Sequence, residues 1–337
     1  MGNKTRTVRI TIIGFGYVGA GVAEVIRRKR AEIARRFGLT LNLVGIADLS
    51  GIFIDERGLD EAELLKLRTG EKEWKRRGNM TSMDLIKEVE HEVMVETTPT
   101  NIETGQPGLG HITTALESGR HVVTSNKGPL ALAYAPLMEL AEKHDRELKF
   151  GATVGGAMPL ISLVRKNLAG NEVLSIQGIL NGTCNYILTR MAEEGLPYEH
   201  VLKEAQEIGI AEADPSKDVE GIDTAVKLVI LANSVFGLNA TYRDVEVAGI
   251  TAITPDALKL ADDAGYVIKL IGEVTSAGCM KVRPRLVPKS DPLNVSGTLN
   301  VATIRTDLAG DITVIGKGAG PIEAASTILS DILSIYT

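Results

Sequence analysis

A doubly wound α/β unit joined to an α+β unit is the fold this sequence predicts, on three observations. The stretch "VRITIIGFGYVGAGVAEVIRR" passes from a β-branched run, Val8 to Ile13, through Gly14, Gly16 and Gly19 into a helical pattern free of proline. Strand-like and helix-like segments then alternate to about residue 150, which calls for a parallel sheet covered on both faces. Beyond about residue 155 the alternation gives way to other strands and longer helices, the sign of a second unit.

Element by element, "LTLNLVGIADLS" reads as a second strand ending at Asp48, "HEVMVETTPTN" as a third and "RHVVTSNKG" as a fourth, with the helix "ITTALESG" between the last two. The helix "PLMELAEKHD" and the strand "ELKFGATVGG" follow. In the second unit, "EVLSIQGILNG" and "KVRPRLVP" read as strands, and "TCNYILTRMAEEG", "YEHVLKEAQEIG" and "IDTAVKLVILANSVFG" as helices. The stretch "DITVIGKGAGPIEAASTILSDILSIY" returns to strand, glycine turn and helix, a pattern expected to pack back on the first unit. The expected division is therefore 1–150, 151–306 and a returning segment 307–337.

Composition narrows the function classes. The 337 residues are 44% hydrophobic and 24% charged, with a net charge of -6, which disfavours wholesale binding to nucleic acid or an anionic membrane. "RRKRAEIARRF", Arg27 to Phe37, is the local exception, with six basic residues and one acid. It reads first as an exposed helix face and second as a phosphate-attracting patch. Cys184 and Cys279 are far apart and form no C-x-x-C pair, which suits a reducing compartment. No stretch has a signal-peptide layout or about eighteen consecutive apolar residues, so a soluble cytoplasmic protein is expected.

"GFGYVG", Gly14 to Gly19, matches G-x-G-x-x-G between a strand and a helix. Gly14 permits the tight turn, Gly16 admits a pyrophosphate, and Gly19 lets helix and strand pack closely. With Phe15, Tyr17 and Val18 between them, these residues read as a dinucleotide-binding turn of the Rossmann type, for NAD or NADP, ahead of a glycine turn with no ligand. Asp48 can hold ribose hydroxyls, which leans towards NAD; it reads almost as well as a strand-end turn residue. Thr98 in "ETTPTN", and Ser125 and Lys127 in "TSNKG", sit at two strand ends that point into one crevice. "GATVGGAMP", Gly151 to Pro159, reads as a hinge or as a set of carbonyls for a hard cation. "GILNGTCNYI" turns through Gly182 into a helix opening at Thr183, where free N–H groups suit a carboxylate.

The most distinctive stretch is "EIGIAEADPSKDVEGIDTAVK", with six carboxylates between Glu207 and Lys227. A solvated face fits Glu207 and Glu220. A metal site fits poorly, because Lys217 and Lys227 would compete with the ion. Asp223 and Lys227 are four apart on one helix face, and that helix is apolar nearly all round. A buried lysine needs a partner, so the pair reads as a catalytic acid in a polar pocket beside Glu212 and Asp218.

Taken in order, "GFGYVG", "ETTPTN", "TSNKGPLA", "GATVGGAMP", "NGTCNYIL", "EADPSKDVEGIDTAVK" and "GKGAG" resemble homoserine dehydrogenases from about residue 8 to 330. The resemblance implies NAD(P)H-dependent reduction of L-aspartate 4-semialdehyde to L-homoserine, on the route to threonine and methionine. It also implies a homodimer with a Rossmann domain and an α+β substrate and dimerisation domain. Lys227 matches the proton donor and acceptor, Asp223 its acidic partner, and Lys127 a second lysine near substrate and nicotinamide. Glu212 and Asp218 match positions that hold the substrate amino group, and Gly182 and Thr183 the turn that meets the substrate. Thr98, Ser125 and Gly318 match cofactor contacts. Many members hold a monovalent cation, Na⁺ or K⁺, partly with a glutamate where this chain has Gly151. That leaves the carbonyls of Val154, Gly156 and Met158 for the ion. Rival readings are another amino-acid or sugar dehydrogenase, a non-catalytic nucleotide sensor and a structural protein.

Overall fold

The computed structural model describes residues 5–73 and 80–337. Its contacts divide the chain into two compact units, one running to Thr153 and resuming over Gly320–Thr337, the other Val154–Ala319.

The first unit opens with β1 (Arg6–Ile13), α1 (Tyr17–Phe37), β2 (Leu39–Asp48) and β3 (Gly51–Ile54). There follow α2 (Glu61–Thr69), α3 (Ser82–Glu88), β4 (Val93–Glu96), α4 (Gly108–Glu117), β5 (His121–Thr124), α5 (Lys127–Lys143) and β6 (Leu148–Lys149). Its six strands are ordered β3-β2-β1-β4-β5-β6. All pairs are parallel except β2 with β3. The order reverses at β1, so the ends of β1 and β4 flank the crevice where such sheets bind ligands. The α1 helix starts beyond Gly16 and stops at Gly38, whose φ of 64° gives the left-handed cap. Its buried stripe includes Val22, Val25, Ile26 and Ile33. The basic face points outward: Arg27 and Arg28 pair with Glu24, Lys29 and Arg36 with Glu32, and Arg30 with Glu61.

The second unit holds a short helix α6 (Leu160–Ser162) running into a π-helical turn, then β7 (Val173–Ile179), α7 (Gly182–Glu194), α8 (Tyr198–Glu207), α9 (Ser216–Val219) and α10 (Ile222–Phe236). It continues with β8 (Glu246–Val247), α11 (Pro255–Asp263), β9 (Tyr266–Thr275), β10 (Met280–Pro288), β11 (Leu299–Thr306) and β12 (Asp311–Lys317). The sheet order is β12-β11-β7-β9-β10-β8, antiparallel except β8 with β10. Helix α10 lies close on one face: a Cβ at Gly272 would stand 2.7 Å from Thr224 Cγ2.

The segment 307–337 does not return as one piece. β12 pairs with β11 along seven residues, through a hairpin closed by Thr306 N–H to the Gly310 carbonyl (2.9 Å) with Gly310 at φ 70°. This short-range pairing holds β12 in the second sheet. The strand expected to rejoin the first unit belongs to the second, and the return starts at Gly320. α12 (Pro321–Ser334) then buries Ala325, Ile328 and Ile332 in one cluster with Val22 and Ile26.

On the other face of the second sheet, Lys269 is 4% exposed and donates to Asn185 Oδ1 (3.0 Å), Thr189 Oγ1 (3.2 Å) and the Val295 carbonyl (2.8 Å). Burial brings its pKa down to about 8. An unfolded lysine titrates near 10.4, so between about 8 and 10.4 the unfolded chain binds the extra proton and rising pH favours the fold. Relative to Lys269→Met, the wild type should gain up to about 3 kcal/mol as pH rises from 7 to 10.5. Urea unfolding of both proteins across that range measures it; a stability difference independent of pH would refute the assignment.

Candidate active site

In the first unit the site is built on the β1–α1 turn. Gly14 has φ 89°, and a Cβ there would lie 2.7 Å from the backbone of Thr97 and Thr98. A Cβ at Gly19 would lie 2.2 Å from the Gly14 carbonyl, so helix and strand touch at this point. Gly16 has nothing within 4 Å of its Cβ position. The α1 N-terminus has no side-chain cap and no acid in its first turn, leaving N–H groups and the positive dipole end for an anion. An open position at Gly16 above uncapped N–H groups fits a dinucleotide pyrophosphate. Phe15 contributes backbone alone, because its ring is 1% exposed in the core; its N–H donates to Asp48 Oδ2 (2.7 Å). Tyr17 is 77% exposed under the Arg68 guanidinium (4.5 Å to the ring centroid), and Val18 packs on the core.

Two supporting residues escaped the sequence reading. Thr97 donates to the Gly14 carbonyl (2.6 Å), tying the β4 end to the glycine turn. Glu96 is fully buried and accepts from the Thr98 N–H (3.0 Å), the Thr98 hydroxyl and the Thr124 hydroxyl (3.0 Å). Thr98 in turn accepts from Asn126 Nδ2 (3.3 Å), and Asn126 caps α5 through the Gly128 N–H (3.1 Å). The strand-end residues Thr98, Ser125 and Lys127 thus stand on a hydrogen-bonded floor. The signal was a carboxylate closing an otherwise apolar strand.

In the second unit, Lys227 is 7% exposed. Its ammonium donates to the Leu180 carbonyl (2.5 Å) and to Asp223 Oδ2 (2.6 Å). Asn181, also missed, organises the pair: its Nδ2 donates to Asp218 Oδ1 (2.7 Å) and Asp223 Oδ2 (3.0 Å), while its Oδ1 caps α7 through the Cys184 N–H (2.9 Å). The cap is therefore Asn181, and α7 begins at Gly182 rather than Thr183. The Thr183 hydroxyl donates to the Ile210 carbonyl (3.1 Å), and a Cβ at Gly182 would come within 2.7 Å of the Thr298 carbonyl. Glu212 is exposed on the loop after α8, which Gln206 holds through the carbonyls of Glu212 (3.2 Å) and Ala213 (3.1 Å). Among the described residues, no three His, Cys, Asp or Glu side chains gather as a metal cluster. The cation in this group of carboxylates is the lysine itself. Cys184 is buried, donates to the Asp218 carbonyl (3.1 Å), and burial pushes its thiol well above the ordinary range, so it stays protonated.

Val154, Gly156 and Met158 lie on one turn, with Gly155 at φ 93° and Gly156 at φ 59°. The turn is pinned by Ala157 N–H to the Lys317 carbonyl (3.0 Å), and the Met158 carbonyl accepts from Leu160 N–H (2.8 Å). Gly318 belongs to the neighbouring turn, and its carbonyl would lie 2.4 Å from a Cβ at Gly156. In the first unit, Gly151 N–H donates to Asp331 Oδ2 (2.8 Å). A glutamate at 151 would bring a second carboxylate against Asp331, so the glycine and the aspartate fit each other.

A parallel sheet with a dinucleotide turn at its switch point, and a buried lysine–aspartate pair beside a helix N-terminus, define an NAD(P)-dependent oxidoreductase. Family models agree: one for the homoserine dehydrogenase NAD binding domain matches residues 14–151, and one for homoserine dehydrogenase matches 159–333. The chain belongs to the homoserine dehydrogenase family. It is 54% identical to the homoserine dehydrogenase of Methanocaldococcus jannaschii, over 97% of this chain and 98% of that protein. A putative homoserine dehydrogenase from Archaeoglobus fulgidus superposes with a TM-score of 0.91 at 48% identity, over 98% of this chain and 99% of that one. A hyperthermophilic archaeal homoserine dehydrogenase in complex with NADPH superposes with a TM-score of 0.84 at 32% identity, over 97% of each chain. Among the described residues, no helix is long and apolar enough to cross a membrane.

Proposed function

We propose that Lys227 is the acid and base of NAD(P)H-dependent reduction of L-aspartate 4-semialdehyde to L-homoserine, the reaction of this family in threonine and methionine biosynthesis. The observation that carries the assignment is the buried Lys227 ammonium, held between the Leu180 carbonyl and Asp223. As the aldehyde oxygen gains negative charge, that ammonium stabilises it and then gives it a proton. Asp223 orients the lysine, and Asn181 fixes Asp223 and Asp218 to the start of α7. Asp218, with Glu212, takes the substrate ammonium; the N–H groups at Gly182 and Thr183 take its carboxylate. Lys127 is the second lysine of the proposed mechanism. When bound, the nicotinamide supplies the hydride, or accepts it in the reverse direction. The glycine turn holds the pyrophosphate, Thr98, Ser125 and Gly318 line the coenzyme, and Asp48 takes the ribose hydroxyls. A carboxylate at that place disfavours a 2′-phosphate, which supports a preference for NAD.

The carbonyls of Val154, Gly156 and Met158 are the donors for a monovalent cation, which would be Na⁺ or K⁺. The enzyme is a cytoplasmic homodimer: its two cysteines are free, and Gln177, Glu273, Arg285 and the 53%-exposed Ile315 present a part-open sheet face to a second copy. Homoserine oxidation followed at the reduced-nicotinamide absorbance, with NAD⁺ and NADP⁺ in parallel and with Na⁺ or K⁺ varied, tests the reading, and sedimentation tests the dimer. Turnover with a higher kcat/KM for NAD⁺ is expected. Coenzyme binding without homoserine turnover would turn the site over to another amino-acid substrate.

A further inference from the structure

The second unit satisfies its buried amides with care. Asn185 Nδ2 donates to the carbonyls of Val295 (3.1 Å) and Leu299 (3.0 Å), and its Oδ1 accepts from Lys269. Asn233 exchanges two hydrogen bonds with Ala240. Asn181 has the partners described above. Asn300 departs from this pattern. It sits in β11 opposite Gly316 and is 1% exposed, yet neither Nδ2 nor Oδ1 has a hydrogen-bond partner. A buried carboxamide without partners costs stability that leucine, of nearly the same shape, would not. Such a group calls for a partner supplied from elsewhere.

The surroundings say where that partner lies. A Cβ on Gly318 would stand 1.9 Å from Asn300 Nδ2 and 2.5 Å from Oδ1, so the amide lies flat on the glycine turn after β12. A Cβ on Gly182 would stand 3.6 Å from Asn300 Oδ1, placing the other side of the amide at the first residue of α7. Asn300 therefore lies between the turn proposed to receive the substrate carboxylate and the Lys317–Gly320 turn. Two of the four residues of that second turn, Gly318 and Gly320, have no side chain, which eases a small movement of its backbone.

We infer that Asn300 is a positioning residue for substrate binding. Its carboxamide bonds the peptide groups of the 317–319 turn when the amino-acid end of the substrate docks at the α7 N-terminus, and so fixes that turn in the loaded enzyme. The inference deepens the proposed function and rests on the α7 turn as the substrate's carboxylate site.

Two measurements test it. Asn300→Leu should fold with an unchanged or higher Tm without ligand, because it removes two unsatisfied groups. Its KM for homoserine should nevertheless rise about tenfold, as expected for the loss of one or two net hydrogen bonds. The second measurement needs no variant: homoserine should slow amide exchange in a peptide spanning 316–320 of the wild type. An unchanged KM in Asn300→Leu would overturn the inference, as would exchange in 316–320 indifferent to homoserine. A large loss of Tm without ligand would also overturn it, showing a purely structural amide satisfied by buried water. Wild-type enzyme that never turns over homoserine would instead defeat the underlying functional reading, and the two failures are seen in separate assays.

Discussion

Lys227→Met lowers kcat for homoserine oxidation by about 10²–10⁴, the range for losing a positioned proton donor. Methionine keeps the apolar stem of the lysine and most of its length, so the packing of α10 survives. What disappears is the charge on the substrate oxygen and the partner of Asp223. Coenzyme affinity should hardly change, because the glycine turn and Asp48 belong to the other unit. Stability falls as well. Side-chain exposures of 9% for Lys227 and 14% for Asp223 mark a pair that is largely out of water. Breaking such a pair costs about 3–5 kcal/mol. The lower end applies here, since Asn181 Nδ2 still serves Asp223 at 3.0 Å. The rate must therefore be read in the temperature range where circular dichroism shows the variant folded. A near-normal kcat in the folded variant would remove Lys227 from the mechanism and move attention to Lys127.

Gly19→Val abolishes useful coenzyme binding. At 2.2 Å from the Gly14 carbonyl, the new Cβ meets backbone, which no rotamer change relieves. Gly14 has little room to retreat, because its own Cβ position lies 2.7 Å from the backbone of Thr97 and Thr98. Helix α1 must therefore move off β1. A displacement near 1 Å at a site of this kind costs about 10²-fold in function, and overpacking costs about 1–3 kcal/mol of stability. Gly16→Ala is the informative contrast. Its Cβ enters open space and its φ of -76° suits alanine, so the fold should keep its Tm while the pyrophosphate loses its seat. Calorimetric titration with NAD⁺ and NADP⁺ measures both variants. Retained coenzyme affinity in Gly19→Val would refute the close helix–strand contact, and in Gly16→Ala the phosphate position.

What the sequence made legible was whatever is local in the chain. The glycine turn is read from six consecutive residues because its constraints are a positive φ, an open approach and a contact within one strand–helix unit. Asp223 and Lys227 were legible as a pair because four residues make one helical turn. Asn181 was not, because it reaches Asp218 and Asp223 across 37 and 42 residues of chain, a distance no spacing rule spans. Glu96 and Thr97 were hidden for the same reason, their partners lying on β1, β5 and the turns beside them. The placement of β12 failed in the opposite direction. "DITVIGKGAG" has the outward form of another nucleotide-type strand and turn, while the deciding feature, the hairpin at Gly310, is a modest turn in a polar loop. Glu212 shared a motif with Asp218, yet the fold leaves it exposed while Asp218 is drawn to Asn181.

The seating of α12 on α1 has a consequence for how the enzyme is made. Gly21 lies so close to Pro321 that a Cβ there would be 2.6 Å from the Pro321 carbonyl, and Ile328 and Ile332 complete the cluster around Val22 and Ile26. On the ribosome, α1 emerges first and its cover, α12, follows only after the whole second unit. At about 5–20 residues per second that interval is tens of seconds. Through it the apolar stripe of α1 is covered by the sheet but still lacks the residues of α12, and the second unit can finish folding first. Translation speed and chaperone supply therefore bear on the yield of this enzyme more than its composition suggests.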